Sequence, residues 1–341
     1  MRFSLRTLVV LALAVGLLVL FLYHVDLWRV GSEIAHAQPG WLVLSFATML
    51  ANLVIRAYRW QYLLDPLGKV RFGSAFRATA VGFAASTVLP ARAGEVIRPY
   101  FLARHEHMSA TGAFATIILE RLLDIVAVLV LLAAYVFVFG RGLELSNPVA
   151  FGLLKWAGAT AAGGALAALV ILFVLAGNPE RLGRATRRLA AVVPSFAATT
   201  ARVAEKFARG LGAIRSPRRL LVALVWSFPL WLTIAVGIWA VAMAFRLAMP
   251  FTGSFLIIAF LVLSVAVVPT PGAIGGFHAA FRYGATTFFG APDDAAVGAA
   301  IVLHALSIGP SLLLGLYFAA QVGVNLSRMR ELAATAPGDV A

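Results

Sequence analysis

Arg92, Glu95 and Arg98 lie in Val88-Leu89-Pro90-Ala91-Arg92-Ala93-Gly94-Glu95-Val96-Ile97-Arg98-Pro99-Tyr100, directly after a long apolar run. Glu120, Arg121 and Asp124 lie inside another, Ile117-Ile118-Leu119-Glu120-Arg121-Leu122-Leu123-Asp124. Ionisable side chains at membrane depth are costly unless they pair or face a water-filled cavity, so they read as functional by default. Positions i and i+4 share a helix face, which sets Glu120 and Asp124 side by side. Arg121, about 100° round the helix, is not expected to satisfy both carboxylates. Their candidate partners are Arg92 and Arg98, or Arg56 and Arg59. Two chemistries fit. One is a buried salt-bridge network that locks the segment in place; the other is a polar cavity whose arginines bind phosphate by forked hydrogen bonds.

A second stretch with chemical content is Val268-Pro269-Thr270-Pro271-Gly272-Ala273-Ile274-Gly275-Gly276-Phe277-His278. Its glycines serve either to aim backbone N–H groups at an anion or to let helices pack closely. His278 and His304 are either hydrogen-bonded structural groups or, titrating near pH ~6.5 when unperturbed, candidates for proton coupling. No His/Asp/Glu set has metal-ligand spacing, and neither a GxSxG nor a Walker A motif occurs, so no catalytic residue, cofactor or metal is assigned.

The elements that must position these groups are membrane helices. Of the 341 residues 62% are hydrophobic and only 12% charged, with no cysteine for a disulfide or thiolate site; a soluble domain carries about 25% charged residues. The net charge of +14 is explained by positive-inside topology and anionic headgroups rather than by nucleic acid. Six stretches have the roughly 20 apolar residues that a span needs: about 5–23, 41–58, 113–139, 151–176, 220–245 and 296–321. The first is expected to be retained rather than cleaved as a signal peptide.

Two further apolar runs, 72–90 and 251–269, each end in a proline, Pro90 and Pro269. A proline stops a helix, and Gly94 is expected to let the chain turn freely after the first break. If each run crossed the bilayer, segment 178–219, with ten Lys and Arg against Glu180 and Glu205, would lie outside with a net +8, against the positive-inside rule. If each instead dips in and returns, as hairpins 72–110 and 251–290, the basic segment is cytoplasmic together with Arg56, Arg59 and both termini. Three spans then separate the hairpins, which enter from opposite faces. A shift of 179 residues aligns Phe72 with Phe251, Phe76 with Phe255, Ala80 with Ala259, Val88 with Val267 and Pro90 with Pro269. Inverted broken helices of this kind mark a transporter's central site. The breaks are assigned to Pro90, Gly94, Pro269, Pro271, Gly272 and Gly275.

The expected fold is thus a single all-α polytopic membrane bundle, 1–341, with six full spans and two proline-broken re-entrant hairpins in an inverted repeat. Segment 5–176 forms the first half, 220–325 the second, and 326–341 a cytoplasmic tail. The connector 177–219 reads either as an amphipathic helix pair on the inner leaflet, broken near Pro194, or as a solvated basic loop.

Arg59-Trp60 with Leu63-Leu64, the run from Leu89 to Arg98, Glu120-Arg121 with Asp124, and Pro269-Thr270-Pro271-Gly272-Ala273-Ile274-Gly275 resemble, in order, the membrane region of the lysylphosphatidylglycerol synthases and the wider family of flippase-like membrane proteins. The resemblance covers about residues 5–325. It implies movement of a lipid with a polar headgroup between leaflets, without the soluble aminoacyl-transferase domain of the full synthases. This chain departs from the family in having Gly272-Ala273 where a Gly-Gly pair is common and His278 where a glutamate often follows.

The leading expectation is a lipid translocase of the inner (cytoplasmic) membrane whose cavity is lined by Arg59, Arg92, Glu95, Arg98, Glu120, Arg121, Asp124, His278 and His304. Its expected partners are anionic, aminoacylated or isoprenoid-type membrane lipids, with lipid-synthesis enzymes as further candidates and no nucleic acid. The alternatives are a membrane-embedded lipid transferase using Glu95 or Glu120 as base, and a non-catalytic scaffold of a lipid-synthesis pathway.

Overall fold

The computed structural model describes residues 16, 18–19, 21–22, 25–89, 92–139, 148–177, 194–267 and 270–321. Pro90, Pro269, most of the first apolar stretch, residues 178–193 of the connector and the tail 326–341 lie outside them.

The described residues form helices and turns, with no strand. In chain order the helices are α1 (Leu27–Ala35), α2 (Pro39–Leu64), α3 (Phe72–Val88), α4 (Gly94–Glu106), α5 (Ala110–Ala134), α6 (Pro148–Gly177), α7 (Pro194–Gly210), α8 (Pro217–Ala244), α9 (Gly253–Val267), α10 (Gly276–Phe289) and α11 (Asp293–Gln321). Their starts are written in the sequence. Asp26 accepts hydrogen bonds from the Trp28 and Arg29 amides, Ser109 from Gly112 and Ser216 from Arg219, which satisfies donors that a helix N-terminus otherwise leaves unpaired. Pro39 and Pro217 sit in the first turn, where a missing N–H costs nothing.

Five helices are long and apolar enough to cross a membrane: Pro39–Leu67, Ala110–Val138, Phe151–Ala176, Pro217–Ala244 and Asp293–Gln321. The first of these runs well beyond the expected end at 58. Arg56 and Arg59, expected as cytoplasmic flanking charges, are instead buried inside it at 5% and 0% exposure. The apolar pattern fades there because the charges have partners within the protein, so the helix continues past them.

α3 and α4 fold back on each other. Gly94 packs against the Gly82 carbonyl and Ser86, and a Cβ on Gly82 would fall 2.6 Å from Arg98 Cβ. Gly94 therefore serves backbone approach rather than free turning, and its φ is not positive. α9 and α10 also run antiparallel: Gly253 meets Phe289, Gly284 meets Ile257 and Gly276 meets Ser264. Small residues provide this proximity, as expected where lipid removes the hydrophobic drive for helix association. Ala75, Ala78, Ala80, Ala84 and Ala85 are buried along α3, and Gly315 of α11 packs on the Ala80 carbonyl.

The two pairs are rooted at opposite ends of the bundle. The α3/α4 end holds the last turn of α2 and the starts of α5 and α8, joined by Arg219–Asp65 at 2.6 Å and by Leu67 against Gly112. The α9/α10 end holds the end of α8 and the starts of α1, α2 and α11, with Gln38 N–H donating to Ala244 O at 3.0 Å and Arg282 Nε to Asp293 Oδ1 at 2.6 Å. The distal turns of the pairs meet in the middle: a Cβ on Gly272 would lie 3.6 Å from Thr87. α7 begins at Pro194 and continues to Gly210, which packs backbone to backbone on Gly112 at the start of α5.

Candidate functional site

Four helices bring a charge cluster together along the middle of α2 and α5, between the apolar packing of one end of the bundle and that of the other. α2 presents Arg56, Arg59 and Trp60 on one face, as spacings of three and four require. α5 supplies Glu120, Arg121 and Asp124, α4 supplies Arg98, and α8 adds Ser227 and Trp231, again four apart.

Arg59 Nη1 donates to Asp124 Oδ1 at 2.6 Å and to Ser227 Oγ at 2.7 Å, and Trp231 Nε1 donates to the same carboxylate oxygen at 3.2 Å. Arg56 Nη1 bridges Glu120 Oε1 and Asp124 Oδ2, each at 3.3 Å. Glu120 Oε1 also takes Arg98 Nη1 at 3.0 Å and Arg121 Nη2 at 2.7 Å, with Arg59 Nη2 at 3.6 Å. Glu120 is fully buried and Arg98 only 4% exposed. The Arg98 guanidinium lies 3.9 Å from the Trp60 ring centroid, a cation–π contact that spreads its charge. The indole of Trp60 is fixed in turn by donating to Thr116 Oγ1 at 3.0 Å.

Several polar atoms are left over. Arg98 Nε and Nη2, Arg56 Nε, Arg59 Nε and Glu120 Oε2 are buried and find no hydrogen-bond partner among the described residues. Buried donors without acceptors are uncommon, because each forfeits its hydration.

Beside this cluster lies a cavity of about 260 Å³. Arg92, Gly94, Glu95, Arg98 and Arg121 line one side, Thr270, Gly272, Ala273 and Phe277 another, and Ser86, Thr87, Ser307 and Ser311 add hydroxyl-bearing side chains. The turns of the two helix pairs thus share one cavity. Both use left-handed backbone, at Arg92 (φ 55°) on one side and at Gly272 (φ 60°), Ala273 (φ 57°) and Gly275 (φ 85°) on the other. Pro271 opens the short 3-10 turn that carries Gly272.

The sequence matches the family described as "Lysylphosphatidylglycerol synthase TM region" over residues 7–315. The chain belongs to that family. It is also similar to a UPF0104 membrane protein of Methanocaldococcus jannaschii, at 26% identity over 104 residues, which cover 30% of this chain and 31% of that protein. Membership and the apolar helices together make this a multi-pass membrane protein.

Within this member of the synthase TM-region family, the expected site residues separate into two shells. Arg92, Glu95, Arg98 and Arg121 reach the cavity wall, whereas Arg59, Glu120 and Asp124 stand behind it as counter-charges. Arg92 does not pair with Glu120 or Asp124. It faces Glu95 at 3.7 Å, both side chains being partly exposed at 44% and 33%. Arg121 does what its angular position argued against, reaching Glu120 at 2.7 Å and Asp124 Oδ2 at 3.5 Å, because its long side chain curls back over its own helix.

His278 and His304 do not line the cavity either. They brace the second turn from behind: His304 Nε2–H donates to Gly272 O at 2.7 Å, the Gly275 amide donates to His278 Nδ1 at 3.3 Å, and the two rings are 4.4 Å apart. Ala273, with φ 57°, adopts a conformation that favours glycine. Ser227 and Trp231 were not foreseen as site residues. A lone serine and a lone tryptophan in an apolar span carry no spacing signal.

Proposed function

We propose that this protein moves the polar headgroup of a membrane lipid between leaflets through the cavity shared by its two helix-pair turns. The observation that carries this reading is the position of the charge cluster. Three buried guanidiniums, the partly exposed Arg121 and two buried carboxylates abut a cavity formed where helix pairs rooted at opposite ends of the bundle meet. Taking a headgroup through hydrocarbon costs several kcal/mol or more per ion. A wall of arginines, hydroxyls and turn backbone replaces part of the lost water.

In this reading α3/α4 and α9/α10 are re-entrant hairpins of an inverted repeat, dipping from the cytoplasmic and outer faces of the inner membrane, and both termini are cytoplasmic. The positive-inside argument supports that orientation, as does the gathering of Arg202, Lys206, Arg209, Arg215, Arg218 and Arg219 at the end where α3/α4 is rooted. Arg92, Arg98 and Arg121 bind the headgroup phosphate, while Glu120 and Asp124 hold the arginines in place when the cavity is empty. The resemblance to the synthase membrane region supports a lipid as the cargo.

The test is a liposome assay with purified full-length protein that scores headgroup accessibility in the outer leaflet for phosphatidylglycerol, lysylphosphatidylglycerol and phosphatidate. Wild type accelerates exchange of at least one of these. Arg92→Ala, on the wall but outside the buried cluster, slows it by about tenfold, the worth of one charge-assisted hydrogen bond. Absence of protein-dependent exchange for all three lipids overturns translocation. A lipid species missing from extracts of a deletion strain indicates a transferase instead.

A further inference from the structure

We infer that the cavity is built for a dianionic phosphate group, a phosphomonoester rather than the singly charged phosphodiester or cationic aminoacyl ester of other headgroups. The inference rests on the proposed headgroup site and specifies its cargo. It follows from the distribution of charge around the cavity. α2 brings Arg56 and Arg59, the turn into α4 and its first two turns bring Arg92, Glu95 and Arg98, and α5 brings Glu120, Arg121 and Asp124; α3 adds only Ser86 and Thr87, and α8, α10 and α11 add Ser227, His278 and His304, because the acids of α11, Asp293 and Asp294, sit at its far start with Arg282 and Arg29. Arg92 and Glu95 face each other and cancel. Arg59 holds Asp124 at 2.6 Å, and Arg56, bridging both carboxylates at 3.3 Å, matches the second of them.

That leaves two guanidiniums, Arg98 and Arg121, converging on a single oxygen, Glu120 Oε1, which Arg56 already contacts. These are the two cluster members on the cavity wall. Four arginines against two carboxylates leave a surplus of two positive charges, and that surplus is presented to the cavity. A buried, uncompensated charge is strongly unfavourable, so the complement that closes the site carries two negative charges.

The orphaned atoms point the same way. Arg98 is buried, lines the cavity, and has Nε and Nη2 without acceptors. With Nη1 committed to Glu120, the remaining Nε/Nη2 edge is the fork that takes two phosphate oxygens side by side. The first turn of α4, at Gly94, contributes to the same wall and has no capping side chain at Ala93, so its partial positive end adds to the field.

The experiment measures binding of dioctanoyl phosphatidate, dioctanoyl phosphatidylglycerol, dioctanoyl lysylphosphatidylglycerol and inorganic phosphate to the purified full-length protein in neutral detergent, at pH 5.5 and 7.5. Phosphatidate loses its second proton between these values, since phosphomonoesters do so near pH ~6, while phosphatidylglycerol keeps one charge throughout. The expected result is a preference for phosphatidate over phosphatidylglycerol of about tenfold or more at pH 7.5 that shrinks towards parity at pH 5.5. Protonation of His278, His304 or a carboxylate at pH 5.5 would add positive charge and favour the more highly charged ligand, so protein titration opposes the expected shrinkage and cannot mimic it.

Arg98→Gln abolishes the preference, and Arg98→Lys, which keeps the charge but not the fork, retains part of it. The wild-type pH comparison stands even if those variants fold poorly. Inorganic phosphate competing as well as phosphatidate supports the dianion site and makes free phosphate its source. Equal binding of the two lipids at pH 7.5, or tighter binding of the lysyl ester, overturns the inference. Transport without phosphomonoester preference removes this inference and leaves translocation intact. Phosphomonoester preference without transport does the reverse.

Discussion

The two turns that share the cavity are built from opposite materials. The α4 side presents side-chain charge, with Arg92, Glu95 and Arg98 within seven residues of one another and Arg121 of α5 on the same wall. The α9/α10 side presents no ionisable side chain to the cavity, only left-handed backbone at Gly272 and Ala273 with Thr270 and Phe277 beside it. Its two histidines face away and hold the turn's carbonyl and amide. Both are turns between antiparallel helices, but their chemistry differs. The first turn is fixed by electrostatics and tight glycine packing, the second by backbone hydrogen bonds. Substitutions that touch one kind of restraint should therefore leave the other turn unaffected.

The largest effect is expected at Glu120. Glu120→Gln leaves four guanidiniums around one remaining carboxylate, and breaking a buried ion network in this way costs about 3–5 kcal/mol, read as a fall in unfolding temperature of the detergent-solubilised protein. A change of less than ~1 kcal/mol breaks the claim that the first turn is held electrostatically. Next is Gly94→Ala, whose added methyl meets the Gly82 carbonyl and Ser86. Backbone does not yield as a side chain would, so about 2–3 kcal/mol is lost. The matching Gly272→Ala meets nothing closer than 3.6 Å and pays only for its left-handed φ, about 1–2 kcal/mol.

The same measurements read the sequence's own limits. The placement of Glu120 and Asp124 on one face, three of the four arginines offered as their partners and the five described apolar helices follow from residue type and spacing. What did not follow is anything set by a side chain's last bonds or by contacts between distant segments. Arg121 folds back on its own helix, Arg92 stays with Glu95, and Ser227 and Trp231 reach Asp124 from a helix that begins about ninety residues later. The expectation that Gly94 turns the chain failed because glycine has two uses, conformational freedom and absence of bulk, and sequence alone does not say which is in play. No residue pattern states which turns will meet, so the contact of Thr87 with Gly272 could be seen only in three dimensions.

Two smaller tests sharpen the contrast from the second turn. His304→Phe removes the donor to Gly272 O while keeping ring volume, at about 1 kcal/mol, and His304→Gln recovers part of it; equal loss in both variants means ring packing, not the hydrogen bond, restrains the turn. Ala273→Gly relieves a left-handed alanine and should stabilise by about 0.5–1 kcal/mol. A loss of stability there shows that the methyl contributes packing that offsets its φ.

The contact between α7 and α5 has a mechanical consequence. Gly210 sits on Gly112 without an intervening side chain, so the amphipathic segment and the helix carrying both buried carboxylates share a joint with almost no slack. Glu120 lies eight residues further along α5, about 12 Å at 1.5 Å per residue. A helix is stiff over that length. Pushing or tilting α7 acts on α5 as torque on a short rod, and the far end of that rod is where the arginines converge.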